Sequence, residues 1–144
     1  MRNRLPIVAG LAVGLLLGAA GYRTMLTDTG AASCQRGAAA MARLELLFGM
    51  GRKDGSEIGE AEWRAFLDAE VTPRFPDGLT VLAGYGQWRG GTGAIAKETS
   101  RVLVIWHARP ADAESKIEAI RSAYKVRFSQ ESVMRVDGVS CVSF

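Results

Sequence analysis

From residue 43 to the C-terminus the hydrophobic period alternates between two-residue and helical spacing, and this order restricts the fold more than any other feature. Residues 43–49 place Leu44, Leu46 and Phe48 on one face of a strand. A helix is expected from about Gly59, with Trp63, Phe66, Leu67 and Val71 at helical spacing and Glu60 and Glu62 in its first turn. Pro73 should end or kink it. Phe75-Pro76-Asp77-Gly78 is a turn by its residue types, and residues 79–88 read as a second strand. Gly90, Gly91 and Gly93 connect it to a third, roughly 98–107. Pro110 and Asp112 signal a second helix, with Ile117, Ile120, Tyr124 and Phe128 as its apolar stripe. Val133–Val136 and Val139–Phe144 flank Asp137-Gly138, a two-residue sequence that signals a hairpin.

The sum is β-α-β-β-α-β, the split βαβ or ferredoxin-like arrangement, an α+β fold with an antiparallel sheet and here an added C-terminal hairpin strand. Right-handed crossovers put both helices on one sheet face, with the first and third strands central. The third strand is apolar on both sides: Val102, Val104 and Trp106 on one, Leu103 and Ile105 on the other. One side should pack on the helices. The other wants a cover, because large apolar patches are uncommon on monomers. A second copy related by a two-fold axis is the simplest cover; the extra hairpin is the other.

Ahead of this domain, residues 43–144, stand two segments of different character. Arg2 and Arg4 precede an uncharged run from Leu5 to Tyr22. A basic start followed by an apolar run is the pattern of an export signal. Eighteen uncharged residues also suffice to span a bilayer of about 30 Å as a helix. Two readings of residues 1–22 stay open: a signal peptide cleaved after the small residues Gly18, Ala19 and Ala20, or a retained anchor that partners the membrane. Both place the rest of the chain in the periplasm or another extracytoplasmic space, anchored to the inner membrane or secreted. Residues 23–42, rich in Gly, Ala and Thr, read as a flexible tether.

The two cysteines, Cys34 and Cys141, bracket the domain. In an exported chain an even count favours a disulfide. Two cysteines and the one histidine do not make a zinc set, so no metal is expected. The net charge is +3, but Arg2, Arg4 and Arg23 against Asp28 leave fifteen basic and fourteen acidic residues from Cys34 onward. A domain so balanced has no general attraction for nucleic acid.

Chemistry-bearing residues are few. Tyr85-Gly86-Gln87-Trp88-Arg89 is the densest polar-aromatic string; Gln87 and Arg89 could hold an oxygen-rich ligand, with Trp88 on the opposite face. A packed Trp and a solvated Arg at a strand end would look the same. Glu98 and Glu131 are candidate acids or bases, with Gln130 beside the latter; acid-base work needs them close in space. His107, at the end of the third strand, could serve as a base at a pocket mouth. Gly49-Met50-Gly51-Arg52-Lys53-Asp54 fails the dinucleotide fingerprint at its sixth position, and no GxxxxGK[ST] loop exists. No cofactor is expected.

Four strings stand in order: 74–81 (RFPDGLTV), 86–89 (GQWR), 97–103 (KETSRVL) and 124–133 (YKVRFSQESV), before the ending Cys141-Val142-Ser143-Phe144. Together they resemble the bacterial domain-of-unknown-function family 3574 over roughly residues 34–144. The resemblance implies a small exported or lipid-anchored protein with a cysteine near each end of the domain. It implies no activity, cofactor or catalytic residue. The expectation is therefore a non-catalytic, envelope-localised binding or accessory domain with an unknown protein partner. The alternative is a small dimeric α+β barrel enzyme or ligand sensor, in which Gln87 and Arg89 orient a polar molecule and His107 or Glu131 moves a proton.

Overall fold

The structure, a computed structural model, describes residues 34–89, 91 and 93–144. The export segment Leu5 to Tyr22 and residues 23–33 of the tether lie outside the described residues. Among the described residues no helix is long and apolar enough to cross a membrane. Strand β1 (Ala39–Gly49) leads through a loop to helix α1 (Glu60–Phe66), whose chain continues as a π-turn over Leu67–Val71. Strands β2 (Thr80–Arg89) and β3 (Ile95–His107), helix α2 (Ala113–Phe128) and strand β4 (Met134–Val142) follow. The sheet is antiparallel in the order β2-β3-β1-β4, the split βαβ arrangement with β1 and β3 central.

Alternation along the central strands sorts the side chains. Leu44 lies opposite Ile105 and Leu46 opposite Leu103, and these join Phe48 under the two helices. Trp63, Phe66 and Val71 descend from the first helical segment, and Ile117, Ile120, Tyr124 and Phe128 from α2. Glu62 accepts a hydrogen bond from the Gly59 N–H at 3.0 Å, satisfying one of the free amides at the start of α1. The Thr72 N–H reaches the Leu67 carbonyl, which widens the last turn before Pro73 stops it.

Two boundaries differ from the sequence reading. β1 begins at Ala39, inside the segment read as tether. The expected C-terminal hairpin does not form: Asp137 and Gly138 lie within one continuous β4, opposite Leu44 and Arg43. The two differences have one cause. A β1 that starts at Ala39 offers an unbroken row of partners as far as Leu47, and a straight β4 pairs with all of it. Folding back at Asp137 would leave half of that edge unbonded, at about 1 kcal/mol for each hydrogen bond forgone. Arg135 secures the strand by pairing with Asp137 and, across to α2, with Glu114.

Cys34 and Cys141 are bonded, with Cα atoms 5.4 Å apart, at the end of the sheet where Ala40 lies opposite Cys141. On the sheet face away from the helices, Leu82, Trp88, Trp106, Met134 and Val136 are exposed. Without a hairpin, β4 adds no cover there, and that face is bare among the described residues.

Candidate functional site

The site grows from the end of β1, where Gly49 and Gly51 flank the buried Met50. Glu98 stands near the start of β3, directly opposite Gly86 of β2. Its carboxylate lies on the glycine backbone: Oε2 accepts the Gly51 N–H at 2.7 Å, and Oε1 accepts the indole N–H of Trp88 at 2.8 Å. A Cβ at Gly49 would sit 2.5 Å from Oε1, and one at Gly51 2.9 Å from Oε2. Glycine at these places lets the carboxylate rest directly on the backbone, in volume that a Cβ would take from it.

The carbonyls of the same stretch are held from below. The Tyr124 hydroxyl donates to the Gly49 carbonyl at 2.7 Å, and the Gln130 amide to the Gly51 carbonyl at 2.7 Å. Gln130 arrives there because α2 ends on Ser129 in the left-handed conformation, φ 55°, with the Gln130 N–H bonded back to the Lys125 carbonyl. Burial pushes the Tyr124 hydroxyl pKa above the ordinary tyrosine range, and the nearby Glu98 charge adds to the shift.

The sign of that shift sets a prediction. Above pH 10.0, the ordinary tyrosine value, an unfolded chain releases the phenolic proton while folded Tyr124 keeps it. Its contribution to stability is whole below that pH and is lost as pH rises. Urea midpoints measured from about pH 8 to 11 should fall in the wild type and fall less in Tyr124→Phe. The variant should also lose about 1–2 kcal/mol at neutral pH, because the Gly49 carbonyl keeps no donor. Parallel pH slopes would show that the alkaline loss arises elsewhere.

Two adjoining grooves meet at Trp88 and Glu98. The smaller, about 210 Å³, is lined by Leu47, Gly86, Gln87, Ser100, Met134 and residues 130–132. Glu98 and Glu131 face it, and among the described residues no Lys or Arg lines it. The larger, about 340 Å³, runs over residues 51–53 and 55–57, and brings Arg52, Lys53 and Lys97 alongside Glu57. Arg52 is committed to the Glu62 carboxylate, at 2.7 and 2.8 Å, which holds the Glu62 pKa below its usual range together with the Gly59 N–H. Among the described residues no group of three His, Cys, Asp or Glu side chains is placed to hold a metal.

Of the sequence candidates, Gln87, Trp88, Glu98, Gln130 and Glu131 line one groove. Arg89 lies beyond it, opposite Ile95 at the closed end of the β2–β3 hairpin, and lines neither groove. His107 lies nine positions further along β3 from Glu98, or roughly 30 Å at strand rise. There its ring packs against Phe75, centroids 5.3 Å apart, and Nδ1 is 2.9 Å from the Ala108 carbonyl oxygen. A site uniting His107 and Arg89 with Gln87 is therefore not assembled within one chain. Sequence reasoning missed Gly49, Gly51, Gly86 and Tyr124. Glycines inside or ending strands were the available signal, since they mark close approach by another group.

The fold and the groove together define a ferredoxin-like α+β domain, closed by a terminal disulfide, with a carboxylate seated against the end of its first strand. Over residues 43–144 the sequence matches the family described as "Protein of unknown function (DUF3574)", and the chain belongs to that family. The comparison with curated proteins returns no match. Among solved structures it is similar to a phage SAM lyase in complex with S-methyl-5'-thioadenosine, at TM-score 0.58 and 14% identity, covering 78% of this chain and 94% of that one. A phage SAM lyase in its apo state gives TM-score 0.50 at 19% identity, covering 75% and 91%. CutA from Synechococcus elongatus gives 0.48 at 15%, covering 76% and 84%. At these identities the likeness is one of fold.

Proposed function

We propose that the domain is a non-catalytic binding module of the cell envelope, and that its smaller groove takes a small ligand bearing a positive charge or several N–H donors. The observation that carries this reading is Glu98: a carboxylate fixed by Trp88 and Gly51 on a glycine floor, facing the same groove as Glu131. Fixed acceptors beside an indole favour cationic and N–H-rich groups. The volume of about 210 Å³ lies below the roughly 300–1,000 Å³ of drug-sized pockets, which favours a small occupant. Both Glu98 oxygens already accept hydrogen bonds, and His107 stands at the far end of its strand, which supports binding over proton transfer. The apolar N-terminal run and the Cys34–Cys141 bond support an exported location.

Titration calorimetry of the full-length protein tests this. The probes are small amines, purines and S-methyl-5'-thioadenosine, with carboxylic acids of matching size as controls. Cationic or N–H-rich probes should bind, and Glu98→Gln should weaken them by about tenfold, or roughly 1.4 kcal/mol. The amide cannot accept from Trp88 and Gly51 at once without turning a donor toward one of them. Gly49→Ala should have an equal or larger effect, because its methyl displaces the carboxylate. Preferential binding of the carboxylic acids would refute the proposed ligand class.

A further inference from the structure

We infer that the bare face of the sheet is the docking surface for a second copy of this chain, related by a two-fold axis over the central strands. This inference does not depend on what the groove binds. Strand register puts Thr80, Leu82, Gly84, Gly86 and Trp88 of β2 on this face, and Met134, Val136, Gly138 and Ser140 of β4. None of these side chains is charged. The exposed members include Leu82 (53%), Met134 (60%) and Val136 (44%). Depletion of charge across such a patch, with aromatic residues and Met present, is the composition of an interface core.

The charges at its centre choose the partner. On β1, Arg43 and Glu45 stand two residues apart on this face and pair with each other, and Arg43 also lies over the Trp106 ring at 6.0 Å. Under a two-fold axis at this point each Arg43 meets the other copy's Glu45. The face also carries Glu98, whose carboxylate is already held by the Gly51 N–H and the Trp88 indole at the groove end; at the centre, one cation beside one anion is complementary to itself, as an isologous interface requires. The size also fits. Four strands at about 4.8 Å spacing and about nine residues at 3.3 Å rise span roughly 19 by 30 Å. Corrugated by side chains, that approaches the about 800 Å² per partner of a stable interface. Leu47, Gly86, Trp88 and Met134 belong both to this face and to the groove lining, so the second copy would also roof the smaller groove.

Sedimentation velocity of the full-length protein, over a concentration series, tests the inference. The wild type should sediment as a dimer. Arg43→Glu, which sets two anions against two, and Val136→Lys should each weaken the dimer at least tenfold. The double exchange R43E/E45R should restore it, since it reverses both signs and keeps the complementarity. Val126→Lys, on the exposed outer side of α2 at 82% exposure, should leave the mass unchanged. Far-ultraviolet circular dichroism confirms that each variant is folded. A monomeric or trimeric wild type would overturn the inference. So would a dimer indifferent to both R43E and V136K, because the contact would then lie in residues 1–33 or on another surface.

Discussion

Phe48→Ala is expected to destabilise the domain by about 3–5 kcal/mol, the range for removing a buried aromatic ring. Phe48 is fully buried on the central strand β1, where its ring lies 4.6 Å from Tyr124, 5.2 Å from Trp63 and 6.0 Å from Phe66, centroid to centroid. Three rings on two helical segments therefore lose contacts at once. They are poorly placed to close the hole, because Tyr124 is also tied to the Gly49 carbonyl and Trp63 to Phe66. Cavities that cannot collapse fall at the expensive end of such series. Domains of this size have about 5–15 kcal/mol in all, so the variant should be marginal at 37 °C. Phe48→Leu should lose much less, because most of the volume remains. Urea unfolding monitored by fluorescence measures both. A loss below about 1 kcal/mol for the alanine variant would show that the cluster relaxes and that the core is held elsewhere.

Opening the Cys34–Cys141 bond should have an effect of the same order. The bond closes a separation of 107 residues, and the chain-entropy relation gives up to about 4.7 kcal/mol for a loop near 100 residues. The comparison is the oxidised protein against the double variant C34S/C141S, which avoids a lone reactive thiol. The urea midpoint should fall strongly. Amide exchange should rise first at the paired strand ends, where Ala39 and Ala40 meet Val142 and Cys141. Equal midpoints would mean that pairing of β1 with β4 already restrains both ends in the unfolded ensemble. Thiol titration of protein purified from cells without reductant is the companion measurement, and two free thiols would show that the bond does not form in the cell.

The groove was partly legible beforehand. Gln87, Trp88, Glu98, Gln130 and Glu131 stood out as residue types able to hold a ligand, and they do line one cavity. What joins them is register. Gly86 pairs with Glu98 and Trp88 with Ala96, which sets the indole and the carboxylate on one face, two positions apart. The left-handed Ser129 then swings Gln130 and Glu131 in from another element. No local pattern encodes either event. The length of β3 carries His107 out of reach, and Arg89 stands at the closed end of the β2–β3 hairpin, outside both grooves. Asp137-Gly138 shows the same limit for backbone. Two residues with a strong turn preference lie flat in a strand because β1 supplies the partners.

The order of elements, the central position of β1 and β3, and the core stripe of each helix followed from the sequence by itself. They depend on periods of 2 and 3.6 and on the handedness of crossovers, which are properties of the chain near each residue. Family membership over residues 43–144 was likewise legible in ordered short strings. The tertiary structure alone decided that β4 is one strand, that the Glu98 carboxylate lies against Gly49 and Gly51, and that one sheet face stays bare among the described residues. Each of these depends on which distant segment fills a space or completes a hydrogen-bond ladder, and at those places the partner's geometry outweighs the preference of the residues themselves.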